Sequence, residues 1–323
     1  MMTVITKPNE FVNPFIEQRA DPFMMKHTDG YYYFTASVPE YNRIEVRRSK
    51  TIDGLRHATP VDVWHKHEAG EMSANIWAPE IHFIDGKWVI YFAAGRVDDI
   101  FAIRMYAIVC EAENPLDGEW DECGRIQTKW ESFALDATTF VHRDVRYYVW
   151  AQKDPDIEGN TNLYIAELLD PVTVSEKQVM ITTPDQEWER IGFLVNEAPA
   201  VLKKNGKIFI AYSASATDHH YCMGLLTADE NADLLDPASW VKSDGPVFAT
   251  CEENHQYGPG HNSFVKAEDG ETDLMVYHAR SYKEIEGDPL YDPNRHARVK
   301  AIEWDDAGYP VFGIPMADTQ LEG

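Results

Sequence analysis

Glu197 lies in the stretch Asn-Glu-Ala-Pro-Ala, residues 196–200, where its neighbours are small or apolar. Burying a carboxylate among such residues is costly unless the group is paired or protonated. Asp21 and Asp136 also stand where the chain enters a predicted strand. Hydrolysis of a glycosidic bond needs two carboxyl groups, one protonated to donate to the leaving oxygen and one ionised to activate water or attack directly. The three acids are therefore candidates for acid–base chemistry on a sugar.

The residues beside each acid suggest different roles. Glu197, next to Ala198 and Pro199, is expected to hold its proton near neutral pH and to act as a general acid. Arg19 precedes Asp21 by two positions and favours its ionised form, as a general base requires. Asp136 would orient the acid and set its proton affinity.

One sequence offset relates these acids to two further residues. Five predicted turns lie at positions 29, 85, 144, 205 and 269, and the residues eight positions earlier are Asp21, Trp77, Asp136, Glu197 and His261. In a repeat protein equal offsets predict equivalent positions. We therefore expect the five side chains to converge on one axis.

The other candidate binding residues each have a structural alternative. Trp77 offers a flat face for a sugar ring or, alternatively, fills a blade core. His261 could bind a metal ion, contact the sugar or be a buried histidine with satisfied hydrogen bonds. Arg280, at the end of a predicted strand, could bind sugar hydroxyls, stabilise Asp21 or lie in solvent.

The elements that would position these residues form a repeat. Aromatic strand-like runs occupy residues 31–37, 87–95, 145–152, 207–215 and 273–280, and each follows one of the five turns. Four turns contain Asp-Gly or Asn-Gly, which favour tight hairpins, whereas the turn at Asp144 lacks glycine. The turns are about sixty residues apart, and each unit holds a third strand-like run and often a weaker fourth. The pattern predicts an all-β fold, a five-bladed β-propeller with four antiparallel strands per blade, as a single catalytic domain over residues 1–323.

Composition excludes several classes of partner. The formal net charge of −25 at pH 7 repels nucleic acids and anionic lipid surfaces. No apolar stretch is long enough for a membrane span. The first ten residues contain one lysine and no apolar run, so they do not resemble a secretory signal, and the sequence predicts a cytoplasmic location.

Five longer stretches resemble glycoside hydrolase family 43 from about Asn13 to Gly313: "NPFIEQRADPFMMKHTDGYYYFTAS", "SANIWAPEIHFIDGKWVIYFAAG", "LDATTFV", "NEAPAVLKKNGKIFIAYSAS" and "GPGHNSFV". The resemblance implies a five-bladed propeller and an inverting mechanism, with Asp21 as general base, Asp136 as pKa-modulating aspartate and Glu197 as general acid. It also implies that His261 lies at the bottom of the central channel, where a cation such as Ca²⁺ could bind. No cofactor is expected for the chemistry itself.

Within the family the chain is most similar to the exo-acting α-L-arabinofuranosidases, which predicts an arabino-oligosaccharide substrate. A β-D-xylosidase, acting on xylo-oligosaccharides, is the nearest alternative, because both groups share the three acids. Two alternatives come from other classes. The acids and His261 could form the site of a metal-dependent hydrolase, or they could line the channel of a non-catalytic sugar-binding propeller.

Overall fold

The computed structural model describes residues 11–320. Five of its sheets are arranged as blades in a ring, which confirms the predicted five-bladed β-propeller. Within each sheet, successive strands pair antiparallel. The prediction of a single domain over residues 1–323 includes ends that lie outside the described residues, and it stays a prediction.

The first two blades each contain four strands. Blade one comprises β1 (Ala20–Lys26), β2 (Tyr32–Ser37), β3 (Arg43–Ser49) and β4 (Val61–His65). Blade two comprises β5 (Ala74–Ile84), β6 (Lys87–Arg96), β7 (Asp99–Cys110) and β8 (Asp121–Arg125). The short helix α1 (Ile52–His57) joins β3 to β4, and the hydroxyl of Thr51 caps it by accepting the N–H of Gly54.

Blades three and four follow the same order. Blade three comprises β9 (Ala134–His142), β10 (Val145–Gln152), β11 (Asn162–Asp170), β12 (Thr173–Val174) and β13 (Val179–Thr182), and both β12 and β13 pair with β11. Blade four comprises β14 (Asn196–Lys204), β15 (Lys207–Ala214), β16 (Cys222–Asp229) and β17 (Val241–Lys242). Single 3₁₀ turns occupy Glu187–Glu189, Pro237–Ser239 and Pro289–Tyr291.

Blade five departs from the expected four consecutive strands. It comprises β18 (Tyr257–Lys266), β19 (Asp273–Arg280) and β20 (His296–Ala301), while β21 (Glu303–Trp304) and β22 (Pro310–Val311) form a separate ribbon. The N-terminal segment pairs with the free edge of β20, since Phe15 donates to the carbonyl of Ala297 and the N–H of Ala297 donates to Ile16. This pairing joins the two ends of the described chain and closes the ring.

The aromatic runs form the second strand of each blade, close to their predicted bounds. β2 and β19 are buried along their whole length, because each lies between neighbouring sheets as well as within its own. Aromatic rings connect adjacent blades, as where Tyr91 meets Tyr148 edge to face with centroids 5.3 Å apart. No helix in the described part of the chain has the length and apolar character to cross a membrane.

The five hairpin turns do not all have the same backbone conformation. The third turn forms without glycine, because Arg143 and Asp144 themselves adopt positive φ, of 49° and 64°. In the first and last turns only Gly30 and Gly270 have positive φ, so these are longer loops rather than the expected two-residue turns. The aspartate before each of these glycines instead accepts a loop N–H.

Candidate active site

One cavity of about 440 Å³ opens where the innermost strands of the five blades begin. Its lining contains all five residues of the common offset: Asp21, Trp77, Asp136, Glu197 and His261. The expected convergence on one pocket is therefore seen. The volume lies in the range typical of small-ligand sites.

The local backbone explains why these side chains reach the cavity. In every blade the pairing of the innermost strand with the second strand is interrupted there by a shift in register. One residue per strand has positive φ at this point, and these residues are Asp21, Ala78, Asp136, Ala198 and His261. Trp77 and Glu197 immediately precede the irregular residue instead of occupying it. The common offset of eight residues thus selects the irregular position in blades one, three and five and the position before it in blades two and four. The expectation that all five residues occupy equivalent positions is therefore wrong for Trp77 and Glu197.

The irregular residues also connect the blades. An N–H that leaves the strand ladder needs another acceptor. Four of these N–H groups donate to a side chain of the preceding blade: Asp21 to His278 Nδ1 (3.0 Å), Ala78 to Ser37 Oγ (2.8 Å), Ala198 to Asp136 Oδ2 (3.1 Å) and His261 to Ser213 Oγ (2.8 Å). The same interruption that turns side chains into the cavity therefore holds neighbouring blades together.

Asp21 has the most cationic surroundings of the three acids. Its Oδ1 lies 3.2 Å from His261 Nδ1 and 3.3 Å from Arg295 Nη1, and its Oδ2 accepts the hydroxyl of Ser37 at 2.6 Å. Burial opposes ionisation, but the two cations outweigh it and hold the pKa of Asp21 well below its usual range. Asp21 is therefore ionised at neutral pH.

The pKa values of Asp136 and Glu197 shift in the opposite direction to that of Asp21. Desolvation raises the pKa of both carboxyl groups, and the negative charge of Glu197 adds to the effect on Asp136. Glu197 receives one side-chain hydrogen bond, from the hydroxyl of Tyr221 to Oε1 at 2.8 Å. Since the two carboxyl groups are neighbours, ionisation of Glu197 disfavours ionisation of Asp136, whose pKa is raised to about 8.

Two histidines beside these acids differ in charge. Burial lowers the pKa of His261, but the adjacent carboxylates outweigh this and raise it to about 9. Burial lowers the pKa of His278 to about 3, and its Nδ1 accepts the N–H of Asp21, as only an unprotonated nitrogen can. His261 is thus an imidazolium in the cavity, while His278 is a neutral supporting residue.

Apolar side chains form much of the cavity wall. Trp77 is 6% exposed and packs edge to face on Tyr41, with centroids 5.8 Å apart. Phe101 and Phe193 line the same cavity but are 51% and 54% exposed. Trp77 therefore combines the two alternatives considered for it, since it belongs to the core and faces the cavity.

Arg280 does not line the cavity. The prediction that it contacts a sugar is therefore wrong, because its side chain lies outside the cavity. Its guanidinium is buried and donates to the carbonyls of Thr217 and Pro289 and to Asp292. These bonds hold the loop that contains the turn Pro289–Tyr291. The cavity arginine is Arg295, which belongs to no predicted strand and carried no repeat signal.

The acids of the cavity do not fit a metal ion bound directly by three of them. Among residues 11–320, one group has three ligand atoms close enough together for an ion, and it consists of Asp218, His219 and His220 in the loop after β15. The cation site expected near His261 stays a prediction.

The sequence is similar to known proteins over nearly its whole length. The family model described as glycosyl hydrolases family 43 matches residues 11–310. An extracellular exo-α-(1→5)-L-arabinofuranosidase of Streptomyces avermitilis is 56% identical over 95% of the chain, and one of Streptomyces chartreusis is 52% identical over 88%. The chain spans 64% of the length of the first relative and 86% of the second.

A solved structure supports the same relationship. The crystal structure of an α-L-arabinofuranosidase from Lactobacillus brevis superposes with a TM-score of 0.94 at 55% identity, covering 97% of this chain and 99% of that one. The word extracellular in the names of both Streptomyces relatives contradicts the predicted cytoplasmic location. The predicted cytoplasmic location is therefore wrong.

Proposed function

Because the chain belongs to glycosyl hydrolases family 43, we propose that it is an inverting exo-glycosidase that releases terminal non-reducing α-L-arabinofuranosyl residues from arabino-oligosaccharides. Glu197 acts as the general acid and Asp21 as the general base. The similar proteins named exo-α-(1→5)-L-arabinofuranosidase support this choice of sugar.

The observation that carries the proposal is the opposite displacement of two pKa values in one cavity. The pKa of Asp21 is lowered by its cationic neighbours, while that of Glu197 is raised by burial. A glycosidase needs one ionised and one protonated carboxyl group at the same pH. The two environments shift Asp21 towards the ionised form and Glu197 towards the protonated form.

The contacts of the three acids suggest how the reaction proceeds. Glu197 donates its proton to the glycosidic oxygen as the bond to the anomeric carbon breaks. Asp21 removes a proton from a water molecule that attacks the anomeric carbon from the opposite face. Asp136 accepts the N–H of Ala198, the residue after Glu197, and in this way orients the acid. His261 and Arg295 balance the charge of Asp21.

The shape and chemistry of the cavity favour a small terminal sugar. The acids lie at the blade ends beside the buried face of Trp77, whereas Phe101 and Phe193 are more exposed. Aromatic and apolar surfaces of this kind contact the carbon–hydrogen faces of sugars. A terminal arabinofuranose beside the acids would leave the remaining sugars near the two phenylalanines.

Product analysis tests the proposal directly. Proton NMR of arabinan oligosaccharides, recorded early in the reaction, should show arabinose as the first product in the β-configuration, opposite to that of the α-linked substrate. Nitrophenyl α-L-arabinofuranoside should be hydrolysed much faster than nitrophenyl β-D-xyloside, which tests the alternative sugar. First release of α-arabinose would reject inversion, and faster hydrolysis of the xyloside would reject the arabinofuranosyl specificity.

A further inference from the structure

Tyr221 lies immediately before β16 and is almost completely buried in the cavity wall. Its hydroxyl donates to Oε1 of Glu197 at 2.8 Å. Nothing in the repeat pattern distinguishes this tyrosine from the others of the chain. Its contact with Glu197 nevertheless places it beside the atom from which the proton would be transferred.

Two neighbours from blade five hold the ring of Tyr221 in place. The ring stacks on the neutral imidazole of His278, with centroids 5.7 Å apart and planes 7° apart. Gly260 leaves room on another side, because a Cβ atom there would lie 2.6 Å from two carbons of the tyrosine ring. His278 also accepts the N–H of Asp21. The same imidazole therefore contacts both Asp21, the general base, and Tyr221, the hydrogen-bond partner of Glu197. The position of the hydroxyl is therefore fixed by packing.

Resting on the function proposed above, we propose that Tyr221 is a positioning residue that holds the carboxyl group of Glu197 towards the glycosidic oxygen and limits how tightly this group binds its proton. A hydrogen bond donated to a carboxylate stabilises the charged form. It therefore opposes the effect of burial on Glu197.

Tyr221 acts within a surrounding set of charges. Asp21 favours the protonated form of Glu197, His261 and Arg295 favour the ionised form, and the charge of Glu197 in turn raises the pKa of Asp136. These four groups come from blades one, three and five and from the segment before β20. Tyr221 is the neutral partner that bonds to Glu197 directly, so its removal should alter proton affinity without changing any charge.

The variant Tyr221→Phe tests the inference. Loss of the hydrogen bond should move the alkaline limb of the kcat/KM profile upwards by about one pH unit, since a hydrogen bond to a charged group has about this effect. Loss of positioning should lower kcat on arabino-oligosaccharides by about tenfold. The decrease should be smaller on nitrophenyl arabinofuranoside, whose leaving group needs less protonation.

Tyr212→Phe is the matched control. The hydroxyl of Tyr212 also donates to a glutamate, Glu189, at 2.8 Å, but neither residue lines the cavity. Both variants remove one buried hydroxyl from the same blade. Tyr212→Phe should therefore leave the alkaline limb and the ratio of activities on the two substrates unchanged.

A titration without turnover separates this inference from the proposed function. Carbon-13 NMR of labelled glutamate side chains, assigned with Glu197→Gln, should show that Glu197 titrates at a higher pH in Tyr221→Phe than in the wild type. An unchanged titration would overturn the role of Tyr221, whatever reaction the protein catalyses. A shifted titration in a protein that hydrolyses no arabinofuranoside would support the interaction and reject the proposed substrate.

Discussion

Glu189 and Glu197 are two glutamates of one short segment, yet their surroundings differ sharply. Glu189 is fully buried, and its carboxylate lies 3.0 Å from the ammonium group of Lys242. It also accepts hydrogen bonds from two backbone N–H groups and from the side chains of Asn196 and Tyr212. Every oxygen of this carboxylate is satisfied, and its charge is paired.

Glu197 lacks most of these partners. It lines the cavity, receives one side-chain hydrogen bond, from Tyr221, and has no cation within ion-pair distance among the described residues. Burial raises its pKa because so little stabilises the charge. The comparison shows that one residue type stabilises the fold where its partners are complete and becomes available for proton transfer where they are not.

Exchanging each glutamate for glutamine should separate these two roles, and it is the largest effect we predict. Glu197→Gln cannot donate a proton, so kcat/KM on arabino-oligosaccharides should fall by about 10²–10⁴. The loss should be much smaller on nitrophenyl arabinofuranoside. Steady-state kinetics on both substrates measure the difference, and equal losses on the two would reject Glu197 as the acid.

Glu189→Gln should have the opposite profile. The substitution leaves Lys242 without its buried counter-charge, so the free energy of unfolding should decrease by about 3–5 kcal/mol. The kcat per folded molecule should remain close to that of the wild type. Urea unfolding and active-site-normalised kinetics distinguish the outcomes, and an unchanged stability would contradict the role assigned to this ion pair.

A smaller effect concerns the stability of the acid cluster itself. The pKa of Asp136 is raised in the folded state by burial, so the folded protein retains a proton that the unfolded chain releases. Wild-type stability should therefore decrease as the pH rises from the usual aspartate pKa towards the raised one. Asp136→Asn lacks this loss, and its stability relative to the wild type should improve by about 1–2 kcal/mol between pH 5 and pH 8.

Asp273 provides a control of opposite sign. This buried carboxylate lies 2.6 Å from both Lys204 and Lys266, and despite the cost of burial these lysines lower its pKa. Its contribution is complete above the unfolded pKa and is lost only in acid. Asp273→Asn should thus be destabilised equally at pH 5 and pH 8 in urea unfolding. A constant difference for Asp136→Asn as well would contradict the proposed protonation of Asp136.

The sequence predicts the fold well because turn chemistry and strand patterns are local. All five second strands begin and end within one residue of their expected limits, and β10 and β19 match theirs at both ends. The closing contact of Phe15 with Ala297 was not predicted, because it joins residues far apart in sequence and carries no local pattern. The irregular residues Ala78 and Ala198 were likewise missed, since an extra strand residue shifts every later offset by one.

The site was predicted where it follows the repeat and missed where it does not. The acids and His261 belong to inner strands, so a common offset located them even though it merged two positions. Arg295 and Tyr221 lie in connecting segments, whose paths depend on tertiary contacts. The sequence favours Arg280 because a strand end is visible in it, whereas the partners that occupy a guanidinium are not.

Phe193 lies between Glu189 and Glu197 in sequence, at the surface of the cavity. It is 54% exposed although it lines the cavity, which suits contact with a sugar beyond the terminal one. Phe193→Ala should raise KM for arabinotriose by about three- to tenfold, which corresponds to roughly 1 kcal/mol of lost apolar contact, and leave kcat nearly unchanged. Phe83→Ala, which removes an exposed phenylalanine packed on Trp88 outside the cavity, is the control. If both variants raise KM equally, the effect is general, and the segment between the two glutamates contributes to substrate binding only through Glu197.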